Sequence, residues 1–142
     1  KRDLKIVKDG FIRDEERAFS QANTQYVIEL MESVTQVNGS GVKASVKGYR
    51  VAGKTGTSRK AVAGGYGEKY VNIFAGLAPV SDPQLVVVVL INEPSGDLYY
   101  AGDTAAPVFS NIMSGSLQLL NVAPDDSKSI RHLAHTSYPV QE

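Results

Sequence analysis

Residues 51–58 of the chain read V-A-G-K-T-G-T-S, a stretch that opens on a β-branched residue and then becomes small and polar. Side chains alternate between faces on a strand, so Lys54 and Gly56 share one face while Thr55 and Thr57 share the other. Lys54 brings a positive charge, the threonines bring hydroxyl donors, and Gly56 has no Cβ to keep a ligand away. The stretch therefore predicts a strand that binds an anion. An ordinary edge strand with a polar end is the alternative interpretation.

The composition is typical of one globular domain. The chain has 142 residues, of which 42% are hydrophobic and 21% are charged. Basic and acidic residues balance at a formal net charge of zero, so no global field favours nucleic acid or an anionic membrane surface. The longest apolar run, residues 85–91, is far shorter than a membrane-spanning helix. The absence of an initiating Met suggests a segment of something longer.

Metal and disulfide chemistry find little support. The chain has no cysteine, which excludes disulfides and thiolate metal sites. His132 and His135 have the spacing of a helical metal pair, but they lie in a polar stretch with no third ligand. We therefore predict no metal site.

Apolar residues recur with the period of an amphipathic helix in two segments. Ser20 can cap the first helix, which is expected to end near Val37, where the turn-forming sequence N-G-S-G follows. Asp103 or Thr104 can cap the second helix, with Pro107 in its first turn. Each helix is expected to place one apolar stripe against a core.

Strand patterns occupy three segments, residues 51–58, 71–80 and 85–91. The last is continuously apolar, which predicts a central strand covered on both faces. Residues 59–70 contain glycines and charges, and predict a flexible hairpin loop in which Lys60 and Lys69 are solvated. Because the connections are short, an antiparallel sheet covered by helices, an α+β fold, is expected.

The two ends of the chain differ from its centre. Residues 4–12 contain the dipeptide D-G between apolar residues, which predicts a small exposed hairpin. Periodicity is lost after the second helix, and residues 123–142 predict a disordered tail. The folded portion is therefore expected to span residues 1–122.

The most specific motif is K-T-G at residues 54–56, followed by Thr57. Acyl-transfer enzymes with an S-x-x-K nucleophile and an S-x-N element use such a strand as one wall of the active site. Its neighbours are G-Y-R-V-A-G before it, then V-N-I-F-A-G-L-A-P-V, V-V-V-V-L-I-N-E-P, Y-Y-A-G and A-A-P-V-F-S-N-I-M after it. Over residues 20–122 this series resembles the C-terminal part of the transpeptidase domain of class B penicillin-binding proteins, in particular the division-specific group called penicillin-binding protein 3.

The resemblance implies a penicilloyl serine transferase fold, in which helices cover a five-stranded antiparallel sheet and this chain supplies three strands and two helices. It implies a serine D,D-transpeptidase that cross-links peptidoglycan stem peptides in septal wall synthesis and is acylated by β-lactams. It also implies a parent protein on the periplasmic face of the inner membrane, with divisome membrane proteins as partners. No cofactor is implied, since serine acylation with a lysine relay needs none.

Position by position, the resemblance implies that Lys54 is a catalytic cation and that the N–H of Thr57 donates to the oxyanion. It also implies that Thr55, Gly56 and Thr57 bind the substrate. Tyr99 and Tyr100 would be a pair of aromatic residues that borders the pocket. Residues 40–43 spell S-x-x-K, but they lie in a glycine turn rather than opening an apolar helix, and no S-x-N follows. We therefore expect the nucleophile in an upstream part of the same domain, and we predict that this segment alone is inactive.

Two other functions compete with the transpeptidase interpretation. Residues 48–55 also fit G-x-x-x-x-G-K-[ST], the phosphate loop of nucleotide triphosphatases. That loop requires a helix to begin at the lysine, whereas glycines without an apolar period follow here. The second alternative is a non-catalytic interaction module that uses the hairpin at residues 4–12.

Overall fold

In the computed structural model, residues 18–96 and 98–126 are described. In chain order the elements are α1 (Gln21–Glu32), a short 3₁₀ helix (Val42–Ala44), β1 (Ala52–Val62), β2 (Gly65–Ala78), β3 (Leu85–Asn92) and α2 (Ala101–Leu119). The expected three strands and two helices are therefore confirmed. The hairpin predicted at residues 4–12 lies outside the described residues.

Helix α1 begins at the predicted cap but ends early. The Ser20 side chain accepts a hydrogen bond from the Asn23 N–H at 3.2 Å. The helix ends at Glu32 rather than near Val37. Consecutive turns follow it, and Asn38 has a φ of 70°, a left-handed conformation that a helix does not continue through.

Helix α2 begins at Ala101, earlier than the predicted caps Asp103 and Thr104. The preceding residue, Tyr100, makes no side-chain cap. Instead, the Ala101 N–H donates to Thr57 Oγ1 of β1 at 3.0 Å. A donor at the helix N-terminus is thus satisfied by a residue distant in sequence. Because the helix begins at Ala101, Pro107 falls after the first turn rather than within it.

The three strands form one antiparallel sheet in the order β1-β2-β3. Thr55 lies opposite Phe74, and Phe74 lies opposite Val89 in the next strand. The flexible loop predicted at residues 59–70 is wrong, because β1 and β2 extend through most of it as a long hairpin. The hairpin turns at Gly64, whose φ of 90° suits glycine.

The core lies between one face of the sheet and α2. Phe74 of β2 and Phe109 of α2 are fully buried, with ring centroids 4.7 Å apart. Gly53 lies directly against the Phe74 ring, since an ideal Cβ there would be 2.6 Å from Cζ. These contacts bring α2 close to β1 and so fix the helix start beside the K-T-G motif.

The opposite face of the sheet is uncovered within residues 18–96 and 98–126. Val86, Val88 and Leu90 of β3 are 71%, 63% and 59% exposed. The prediction that residues 85–91 are covered on both faces is therefore wrong for this part of the chain, because α2 packs on the other face of the sheet and the 3₁₀ helix packs against α2. Helix α1 likewise buries no residue. Neither described helix combines the length and hydropathy needed to cross a membrane.

The segment after α2 returns to the start of β1. Asp125 accepts hydrogen bonds from the backbone N–H groups of Arg50, at 2.7 Å, and Ser81, at 3.1 Å. The Tyr49 hydroxyl donates to the Val122 carbonyl at 2.6 Å. Of the tail predicted at residues 123–142, residues 123–126 thus include a defined anchor, and the remainder lies outside the described residues.

Candidate functional site

The K-T-G motif lies on β1, and its side chains divide between the two faces of the sheet as predicted. Thr55 and Thr57 are paired in register with Phe74 and Asn72, which face α2. Lys54 and Gly56 consequently face the uncovered side of the sheet. No helix begins at the lysine, since β1 runs without interruption from Ala52 to Val62. The phosphate-loop alternative is therefore wrong.

The backbone of Thr57 points outward from the sheet. Tyr70 and Ala78 of β2 accept hydrogen bonds at their carbonyls from the N–H groups of Glu93 and Gln84, which flank β3. The backbone groups of even-numbered residues in β2 therefore point toward β3. Odd-numbered residues of β2 therefore bond toward β1 and engage its even-numbered residues. The N–H of Thr57 is left at the edge of the sheet, unpaired by β2.

A cavity of about 360 Å³ lies where the edge of β1 meets the first turn of α2. Both threonines of the motif contribute to its wall. The other lining residues come from the loop before the 3₁₀ helix, from that helix and from the start of α2: Gly39, Ser40, Val42, Lys43, Tyr100, Ala101, Gly102 and Asp103. The K-T-G face that points toward α2 therefore has space for a small polar group.

Each threonine hydroxyl in this cavity has one hydrogen-bond partner among residues 18–96 and 98–126. The Thr55 Oγ1 lies 2.9 Å from Ser40 Oγ. The Thr57 Oγ1 accepts from the Ala101 N–H, as described above. Because a hydroxyl has one hydrogen and two lone pairs, both groups retain capacity for a ligand.

The N-terminal end of α2 favours an anion in this cavity. Helix α2 directs its positive dipole end at this space. Lys43 lines the cavity and pairs with Asp103 of α2 at 2.9 Å. Lys43 and Ser40, the lysine and serine of the S-x-x-K sequence at residues 40–43, have different hydrogen-bond partners. Lys43 bonds to Asp103 of α2, and Ser40 bonds to Thr55 of β1.

Lys54 is exposed on the other face. Its Nζ donates to the Thr55 carbonyl at 2.9 Å and makes no ion pair with a described residue. Gly56 is equally open, because a Cβ there would meet nothing closer than Ile73 at 3.8 Å. A positive charge and a bare backbone thus lie side by side on the uncovered surface.

Tyr99 and Tyr100 belong to a larger aromatic cluster. The Tyr99 ring stacks on Tyr70 of β2 with centroids 5.1 Å apart, and Arg59 lies 5.8 Å above the Tyr70 ring. The Tyr99 hydroxyl donates to that of Tyr100 at 3.0 Å, which raises the pKa of Tyr99 by stabilising its protonated form. Both tyrosines remain partly exposed, at 41% and 56%.

A charged cluster joins the β1–β2 hairpin to the end of β3. Glu93 accepts from Lys60 at 2.5 Å and from Lys69 at 2.7 Å. These two hydrogen bonds lower the pKa of Glu93 to about 2. Lys60 and Lys69 remain in contact with solvent, with side chains 33% and 68% exposed, but both also pair with Glu93, which the sequence did not predict. The cluster fixes the start of the loop that carries Tyr99 and Tyr100.

Sequence reasoning missed several residues at this site. Ser40, Ala101 and Tyr70 were not predicted to belong to the site. Tertiary packing brings Ser40 to Thr55 and Ala101 to Thr57, and it stacks Tyr70 on Tyr99. The strand alternation of residues 71–80, extended backward, would have placed Tyr70 on the same face as Asn72. No pattern in the sequence indicates Ser40. Within residues 18–96 and 98–126, no group of three acidic or histidine residues is arranged to hold a metal.

A three-stranded antiparallel sheet, a K-T-G edge strand and a helix starting beside it define a transpeptidase-type wall. The family described as penicillin binding protein transpeptidase domain matches residues 5–114, and the chain belongs to this family. Its fold is accordingly part of the penicilloyl serine transferase fold.

Named relatives and a solved structure agree with this assignment. The chain is 47% identical over 111 residues to the peptidoglycan D,D-transpeptidase FtsI of Escherichia coli K12, covering 78% of this chain and 19% of the relative. It is 42% identical over 124 residues to the probable peptidoglycan D,D-transpeptidase PenA of Neisseria flavescens, covering 87% and 30%. The transpeptidase domain of penicillin-binding protein 3 from Burkholderia pseudomallei aligns with a TM-score of 0.72 at 40% identity, covering 78% of this chain and 34% of that one. The chain thus spans about a fifth to a third of these proteins.

Proposed function

We propose that this chain is the C-terminal part of the transpeptidase domain of a division-type peptidoglycan D,D-transpeptidase. In the complete domain, a serine would attack the D-Ala-D-Ala end of a stem peptide, release D-Ala, and pass the acyl group to an amine of a neighbouring stem. β-Lactams would acylate the same serine. The family match and the relatives' names support this reaction class.

The observation that carries the proposal is the pair of hydroxyls on one face of β1. Thr55 and Thr57 line a cavity at the N-terminal end of α2. A stem peptide ends in a carboxylate, and so does the acidic group of a penicillin. Two hydroxyl donors near a positive helix end provide charge-assisted hydrogen bonds to such a group.

The uncovered face of the sheet, the outer edge of β1 and the tyrosine cluster would supply the rest of the mechanism. Lys54 lies on the uncovered face, where its charge would act on the proton-relay hydroxyls of the upstream part of the domain. Gly56 leaves room for the element that carries the nucleophile. The outward N–H of Thr57 would donate to the oxyanion of the tetrahedral intermediate, a contact of a kind worth about 3 kcal/mol in transition-state stabilisation. Tyr99 and Tyr100 would border the pocket that binds the substrate.

The missing part of the domain also explains the exposed apolar surface. Val86, Val88 and Leu90 form a contiguous stripe that a folded domain rarely leaves in water. We assign this stripe, and the exposed side of α1, to contact with the upstream part. The complete protein would work on the periplasmic face of the inner membrane with divisome membrane proteins, and it would be an antibiotic target.

Acylation by a penicillin tests this function. In the complete protein, Thr55→Val and Thr57→Val each remove one hydroxyl at nearly constant shape. Each is expected to lower the second-order acylation rate roughly tenfold or more, since a hydrogen bond to a charged group contributes about 1.5–3 kcal/mol. Thr24→Ala, which removes an exposed α1 hydroxyl bonded to the Ser20 carbonyl, is the matched control. Unchanged acylation in both valine variants would contradict the proposal.

A second experiment tests the division of labour within the domain. A fluorescent penicillin is expected to label the complete protein covalently and to leave this segment unlabelled. Labelling of the segment would show that the nucleophile lies within it.

A further inference from the structure

The hydroxyls of Thr55 and Thr57 each have a hydrogen-bond partner from a neighbouring segment of the chain. The Ala101 N–H donates to Thr57 Oγ1 at 3.0 Å. The Ser40 hydroxyl lies 2.9 Å from Thr55 Oγ1. Each threonine thus has one neighbour that is able to donate a hydrogen bond to it.

The direction of these hydrogen bonds decides where each threonine hydrogen points. A backbone N–H can only donate, so Thr57 accepts from Ala101 and keeps its own hydrogen for another partner. Between Ser40 and Thr55 either hydroxyl can be the donor. An anion in the cavity removes this freedom. Thr55 must then donate its single hydrogen to the anion and accept from Ser40.

We propose that Ser40 is a positioning residue that orients the Thr55 hydroxyl toward the terminal carboxylate of the donor peptide. In this arrangement the single hydrogen of the Ser40 hydroxyl is donated to Thr55, so Ser40 donates none to the carboxylate and acts through Thr55. The inference rests on the proposed function, in which Thr55 and Thr57 bind that group. Ser40 thereby gives Thr55 the fixed orientation that the Ala101 amide gives Thr57.

The backbone holds Ser40 in the required place. Helix α2 passes so close that an ideal Cβ on Gly102 would lie 2.2 Å from the Ser40 carbonyl oxygen. The adjoining Lys43–Asp103 ion pair ties the same loop to α2. The Ser40 side chain is exposed, so its role is not to fill the core. Its hydrogen bond to Thr55 is the specific contact that a substitution would remove.

The test uses the complete transpeptidase, a penicillin with a free carboxylate, and the methyl ester of the same penicillin. Ser40→Ala should lower the second-order acylation rate for the free acid roughly fivefold, the loss expected from one hydrogen bond. The loss should appear in the concentration dependence and not in the maximal acylation rate, and the ester should be unaffected. Ser40→Thr, which keeps the hydroxyl, should restore the rate to within about twofold of the original.

Two further variants separate positioning from folding. Ser110→Ala is the matched control, since Ser110 Oγ donates to the Ser45 carbonyl at 2.6 Å, another contact between α2 and the segment before β1. It should leave acylation unchanged. Gly102→Ala keeps the serine but displaces its backbone, so it should weaken acylation by the free acid more than by the ester. This variant provides the answer if Ser40→Ala fails to fold.

The outcomes distinguish the inference from the function beneath it. If Thr55→Val abolishes the preference for the acid while Ser40→Ala preserves it, the role of Ser40 is refuted and carboxylate binding stands. An equal loss for acid and ester in Ser40→Ala also refutes positioning. If Thr55→Val leaves the preference intact, carboxylate binding by Thr55 fails and the inference fails with it.

Discussion

Truncation of Phe74 to alanine should destabilise the complete transpeptidase domain by about 3–5 kcal/mol, the usual cost of removing a buried aromatic ring. The ring is fully buried and tilts against Phe109. It also lies directly beneath Thr55, its partner in the register of β1 and β2. The loss should therefore loosen the K-T-G strand as well as the core.

A second substitution makes this prediction specific to the observed packing. An ideal Cβ at Gly41 would lie 2.7 Å from Phe74 Cε2, while its other neighbours are at 3.2 Å or more. Gly41→Ala alone should thus cost about 1–3 kcal/mol through overpacking. In the Phe74→Ala background the ring is gone, and the same change should cost less than about 1 kcal/mol, which gives a coupling energy of about 1–2 kcal/mol.

Urea denaturation of the two single variants and the double variant measures this coupling. Gly115→Ala is the control, because a Cβ there meets nothing within 4 Å. It should stabilise α2 by about 0.5–1 kcal/mol and add to Phe74→Ala without coupling. If Gly41→Ala and Phe74→Ala add to within about 0.5 kcal/mol, the ring does not contact the Gly41 backbone and the packing argument is refuted.

Two further predictions concern contacts around the site. The pKa of Glu93 is lowered from its ordinary value of 4.5 to about 2. The ionised Glu93 carboxylate therefore contributes fully to folding stability above pH 4.5, and this contribution is lost as the pH falls from there toward 2. The difference in Tm between the original protein and Glu93→Gln should therefore be constant near neutral pH and shrink below about pH 4, and a constant difference down to pH 3 would contradict this. Asp125→Ala removes the acceptor of the Arg50 and Ser81 N–H groups. It should lower the free energy of unfolding by about 1–2 kcal/mol in urea denaturation, with Asp125→Asn intermediate. Equal stability of Asp125→Ala and the original protein would show that Asp125 does not anchor this segment.

Local sequence patterns predicted the elements well where local forces decide them. The Ser20 cap, the three strands and the alternation of Lys54 and Thr55 between faces follow from capping and strand periodicity. The K-T-G motif with its flanking residues also indicated the family correctly.

Tertiary contacts decided the features that the sequence predicted wrongly. Helix α2 begins before its expected caps because the hydroxyl of Thr57, a residue of β1, takes a donor at its N-terminus. The hairpin continues through charged residues because Glu93, the residue after β3, pairs with both lysines. Ser40 reaches Thr55 only after the chain turns at the end of α1. Such partners are separated by many residues, so no local pattern indicates them.

A crystal structure of the complete domain acylated by a penicillin tests the central claim most directly. The carboxylate of the bound penicillin is expected in the cavity beside α2, with oxygens at hydrogen-bond distance, about 2.7 Å, from the hydroxyls of Thr55 and Thr57. A carboxylate bound elsewhere, with both hydroxyls turned away from it, would show that the two threonines do not bind this group.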